Sequence, residues 1–103
     1  MGGKPIKSGG AQFTGQHGSG VGQLRLMDDR LVFQPVLGWP ATVRIEAIKT
    51  VSITRSMVNR PNGFELTFGD GHREVIRIAD SEEWVRLISK AIAEREEWRP
   101  ILG

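Results

Sequence analysis

Between Gly22 and Ile78 the apolar residues recur at every second position, and beyond Asp80 they recur at every third or fourth. A period of two lines one face of a pleated strand, whereas a period of 3.6 lines one face of a helix. This change of period predicts a run of antiparallel strands closed by one amphipathic helix. Leu24 and Leu26 alternate with Gln23, Arg25 and Met27, Asp28-Asp29-Arg30 is a turn-forming cluster, and Leu31-Val32-Phe33 returns as the second arm of a hairpin. Pro35 and Pro40 bracket an apolar loop, Val36-Leu37-Gly38-Trp39. Val43 and Ile45 then point inward, Glu46 to Lys49 reads as a corner, and Val51 and Ile53 continue the next strand. Residues 59–63 read as a loop.

Phe64-Glu65-Leu66-Thr67-Phe68 alternates cleanly and meets Asp70-Gly71, which predicts a type I′ turn with positive φ at both central positions. Glu74 to Ile78 returns, with Ile76 and Ile78 inward. Asp80 is placed as an N-cap with Glu83 three residues on, the spacing of a capping box. Trp84, Val85, Leu87, Ile88, Ala91 and Ile92 form the apolar helix face, and Pro100 predicts an end near Trp98, giving a helix over 81–98.

The first 22 residues hold eight of the thirteen glycines, and such a stretch loses much backbone entropy on ordering with little to bury. Residues 1–10 are expected to be a flexible arm, 11–103 one domain, Ala11–Thr14 a short edge strand and Gln16–Gly20 a mobile loop. The expectation is therefore mainly β: a bent barrel of six or seven antiparallel strands capped by a C-terminal helix that inserts Trp84 and Ile88.

A chain of 103 residues with 39% hydrophobic and 25% charged residues can bury one core. The lack of cysteine excludes a disulfide scaffold, a zinc ribbon and thiol catalysis. No apolar run is long enough to span a bilayer, and Met1 to Gly10 lacks the apolar stretch of a signal peptide. A cytoplasmic setting is expected. Residues 1–40 and 41–78 each carry +2 and residues 79–103 carry −2, with acids interleaved among bases. Nucleic-acid binders show a denser basic stripe with stacking aromatics. This chain has no tyrosine, and Phe64 and Phe68 alternate as core residues do.

Glycine-rich Gly15–Gly22 lacks the lysine and the following helix of a phosphate loop. His17 and Ser19 lack the elbow and oxyanion hole of a nucleophilic site, so no catalytic residue is assigned. Asp70, His72 and Glu74 could supply metal donors, but no second histidine lies nearby, and no metal or cofactor is expected.

Arg44, Arg55, Arg60, Arg73 and Arg77 are the binding candidates. Placed on adjacent strands they would form a patch for phosphate or carboxylate; the plainer alternative is pairing with Glu46, Glu65 and Glu74. Trp39 and Leu37 suit a membrane interface, a partner's groove or a lid over the barrel end. Trp98, Ile101 and Leu102 are candidates for self-association or for packing on the barrel flank.

Gly22-x-Leu24-x-Leu26 with Arg30-Leu31-Val32-Phe33 resembles the opening hairpin of GRAM domains, members of the pleckstrin-homology-like superfold. Val43-x-Ile45-x-x-Ile48-x-x-Val51 resembles the family's strand and corner, and the Asp70-Gly71 hairpin before the Trp84 helix resembles its ending. The likeness covers residues 11–97 and looks like a bacterial type. It implies a non-catalytic adaptor that engages a protein segment or an anionic phospholipid surface, working peripherally at the inner face of the membrane. Self-assembly into a homo-oligomer is the alternative, as for bacterial relatives of the superfold. One departure is plain. The loop Gln16–Gly20 holds no Lys or Arg, where phosphoinositide-binding members gather them, and Arg25 is the sole base on the strand that follows.

Overall fold

The computed structural model describes residues 4–15 and 18–102, with backbone alone at Gly18 and at 96–102. Seven strands precede one helix: β1 Lys7–Gly15, β2 Gly18–Leu26, β3 Arg30–Pro35, β4 Ala41–Arg44, β5 Ile48–Arg55, β6 Pro61–Phe68, β7 Arg73–Ile78 and α1 Ser81–Leu102. A short 3-10 turn, Ile45–Ala47, joins β4 to β5. All seven strands lie in one antiparallel sheet of order β4-β3-β2-β1-β7-β6-β5, curled into a half-barrel. The helix packs against β5, β6 and the 3-10 turn.

Alternation sends Phe13, Leu24, Leu26, Leu31, Phe33, Phe64, Leu66, Ile76 and Ile78 inward, where they are buried together with Ile45 and Ile48. Phe13 stacks on Phe33 with ring centroids 4.6 Å apart. From the helix, Trp84 and Ile88 close this core as expected, and Lys7 Nζ lies 5.6 Å from the Trp84 ring. Burying each such side chain contributes about 1.5–3 kcal/mol, so the inward set supplies most of the drive to close the barrel.

The glycine-rich start departs from expectation. β1 begins at Lys7, so residues 7–10 belong to the sheet, and the strand is central, paired to β2 along its length and to β7 over Ala11–Gly15. Backbone hydrogen bonding to β2, joined on the other side by β7 from Ala11 onward, holds a segment with few side chains to pack. Of the expected mobile loop, Gly18–Gly20 are strand, while Gln16 and His17 lie outside the described residues.

Three local features also differ. The β6–β7 turn has positive φ at Gly71 but not at Asp70, and Gly71 N donates to Phe68 O at 3.0 Å. This is a type I turn closed by one left-handed residue, because the loop is one residue longer than a type I′ hairpin allows. The β5–β6 turn spans residues 56–60 and β6 already begins at Pro61, earlier than the 59–63 loop expected. Asp80 has a φ of 57°, not the extended backbone of a side-chain cap, and its carboxylate lies 4.0 Å from Lys7 Nζ. The helix runs through Pro100 to Leu102, beyond the expected end at Trp98. Proline in a last turn gives up one ladder hydrogen bond and crowds the carbonyl four residues back, and with no full turn beyond it that cost stays local.

Candidate functional site

The loop between β3 and β4 leaves the sheet beside β2, where Val36 N donates to Val21 O at 2.8 Å. Pro35 closes β3, and Gly38 turns the chain at a φ of 112°, a conformation that favours glycine. Leu37 and Trp39 are consequently held away from the core, 89% and 91% exposed, with Val36 and Val21 exposed beside them. Of the alternatives for Trp39, the lid over the barrel end is thus not adopted. Four adjoining apolar side chains in water form a patch of the kind that marks an interaction surface.

The strand order divides the five arginine candidates among three places. Arg73 and Arg77 lie on the exposed outer face of β7, about 13 Å apart along the strand. Register places Arg77 opposite Gln12, which is opposite Val21, so Arg77 stands two strands from the apolar tip, about 10 Å along the sheet. Arg25 lies on the same outer face of β2, opposite Ser8 and Val32. Arg55 and Arg60 flank the β5–β6 turn. Arg44, at the end of β4, forms an exposed ion pair with Glu46 at 2.8 Å.

Beside that pair lies an open cleft of about 670 Å³, bounded by β4, the 3-10 turn and the β6–β7 turn. His72 reaches it from the turn, with Nδ1 2.6 Å from Asp70 Oδ2 and its backbone N–H donating to Asp70 Oδ1 at 3.0 Å. That backbone bond, and then the imidazole contact, hold the Asp70 carboxyl below its ordinary value. Glu74 shares its strand face with Ile76 and Ile78 and is 1% exposed, facing inward where sequence reading places it among surface pairs. The parity with Ile76 and Ile78 is the signal that finds it. Asp70, His72 and Glu74 thus do not converge on one point, and no metal-holding group of three donors occurs among the described residues.

A second apolar tip, not marked by the alternation of the sequence, stands at the β5–β6 turn. Met57 is fully exposed and Val58 is 74% exposed in the β5–β6 turn. Their position between Arg55 and Arg60, out of step with Val51 and Ile53, is the available signal. The side chains of Trp98, Ile101 and Leu102 lie outside the described residues, as does His17. No described helix is long and apolar enough to cross a membrane.

No family model matches the chain, and no curated protein matches it. Solved structures do. A pleckstrin homology domain solved in solution is similar at a TM-score of 0.71 and 21% identity, over 94% of this chain and 93% of that one. The C-terminal PH domain of human pleckstrin matches at 0.67 and 21%, over 86% and 88%. The Slm1-PH domain in complex with phosphoserine matches at 0.64 and 20%, over 86% and 96%. At these identities the likeness establishes architecture alone: the chain has the pleckstrin-homology-like fold.

Proposed function

We propose that this chain is a non-catalytic binding module that docks on an anionic phospholipid surface. The Val36–Trp39 tip enters the headgroup layer, and Arg77 and Arg73 on the adjoining outer face hold phosphate. The observation that carries this reading is Trp39, 91% exposed beside three other exposed apolar residues. Indole combines an apolar body with a polar N–H and partitions to membrane interfaces. Neighbours of the same fold add support, since Slm1-PH is solved with phosphoserine and with D-myo-inositol-4-phosphate.

The absence of Lys and Arg from residues 16–20 argues for general attraction to anionic lipid over a built headgroup pocket. The cytoplasmic leaflet, rich in anionic lipid, is the surface such a module fits. Flotation with neutral and anionic vesicles at two salt concentrations tests the reading. Recovery with anionic vesicles, weakening as salt rises, is expected. Absence of recovery with both vesicle types overturns it and leaves a protein segment or self-assembly as the partner.

A further inference from the structure

We infer that the β5–β6 turn is a second membrane-entering element, acting on the same bilayer as the Val36–Trp39 tip; this rests on the membrane reading above. The turn is preorganised. Ser56 N donates to Arg60 O and Asn59 N donates to Ser56 O, both at 2.9 Å, while Asn59 takes a φ of 60°. This is the same arrangement as the β6–β7 turn, with asparagine in place of Gly71 at the left-handed position. It fixes Met57 and Val58 at the apex, where the fold gives them nothing to pack against.

Exposure is concentrated. Of the seven exposed large apolar residues among those described, four form the Trp39 tip with Val21, two are Met57 and Val58, and the last is Ile6. The polar flanks of the second tip are cationic. Arg55 donates to Asn59 O at 3.4 Å, which leaves most of its guanidinium donors free of that contact. Arg60 borders a shallow depression that also holds Lys7 and the helix-start acids Asp80, Glu82 and Glu83. Asp80, Glu82 and Glu83 stand at the start of α1, whereas Met57 and Val58 form the apex of the turn and do not line this depression.

Register links the two tips. Val21, Gln12, Arg77, Gly63 and Thr54 are successive partners across β2, β1, β7, β6 and β5. The row starts beside Val36 and ends next to Arg55, four interstrand spacings or about 19 Å measured along the curled sheet, with the exposed Arg77 in its middle and the buried Gly63 between Arg77 and Thr54. A bilayer is the occupant that fits. Two convex side chains offer far less than the roughly 800 Å² each partner contributes to a stable protein interface. Flexible methionine between cations instead suits an anionic interface that deforms around it.

The chain holds no cysteine, so Leu37→Cys and Met57→Cys each give one labelling position for an environment-sensitive dye. With vesicles of anionic phospholipid, both labels are expected to shift to the blue and to be quenched by brominated lipid. Met57→Asp is expected to lower vesicle affinity about tenfold with an unchanged melting temperature. A silent label at position 57 beside a responding label at 37 overturns this inference and leaves the first reading standing. Silence at both positions overturns both. Response at both with clumping of vesicles overturns the assignment of the two tips to one face.

Discussion

The rings of Phe64 and Trp84 face each other with centroids 6.4 Å apart and planes inclined by 27°. This contact ties the middle of β6 to the first turn of α1, and both residues are buried. Trp84→Ala removes the plug of the half-barrel and is expected to cost about 3–5 kcal/mol. Urea unfolding followed by circular dichroism checks it. A loss under about 1 kcal/mol would show that the helix closes the core without its indole.

Two glycines in neighbouring strands should answer alanine in opposite ways. A Cβ at Gly22 would sit 2.0 Å from the Gln34 carbonyl oxygen, so backbone must move. Gly22→Ala is expected to destabilise by about 1–3 kcal/mol or more. At Gly9 the nearest atoms, on Ile78 and Trp84, would be 3.7 Å away, an ordinary contact. Gly9→Ala is expected to be neutral or to stabilise by up to about 1 kcal/mol through the unfolded chain. Thermal melts of the two variants compare them directly.

Asp70 supplies a pH dependence. The His72 backbone N–H, and then the imidazole, lower its pKa in the fold, so the unfolded chain takes up this proton first as pH falls. The stability contributed is complete above the ordinary carboxylate range and is lost as pH drops through the lowered value. Melts of the parent and of Asp70→Ala between pH 7 and pH 2 are expected to differ by a steady gap near neutrality that closes in acid. A gap that widens in acid would reverse the assignment.

At the proposed membrane face, Trp39→Ala is expected to weaken anionic-vesicle binding about tenfold, the equivalent of about 1.4 kcal/mol of interfacial burial. Its melting temperature should not change, because the side chain is exposed. Arg77→Glu should weaken binding most at low salt and least at high salt. Equal effects of Arg77→Glu at both salts would remove Arg77 from the contact.

The strands and helix are legible because Leu24, Leu26, Phe64, Leu66, Ile76 and Trp84 each carry the period of their element. β1 is not, since Ser8-Gly9-Gly10 is held by backbone pairing that leaves no pattern in side chains. Glu74 misleads by its charge although its parity with Ile76 is correct. The arginines could be chosen as exposed but not grouped. Their grouping depends on β1 lying beside β7, a long-range pairing that local spacing does not encode. Met57 and Val58 pass for the end of a strand until the turn that lifts them is seen.

Because β1 is flanked by β2 and β7, the first strand made is completed only by the last. During synthesis, β1 to β4 can pair in order, yet the second edge of β1 stays open until residues 73–78 have emerged. Closing that gap requires partners 59 to 67 residues apart, from Gly15 with Glu74 to Ala11 with Ile78, a loop whose entropy must be lost before the pairing rewards it. Closure of the barrel is therefore a late folding event, and a nascent chain stopped before β7 exposes an edge through which copies can pair.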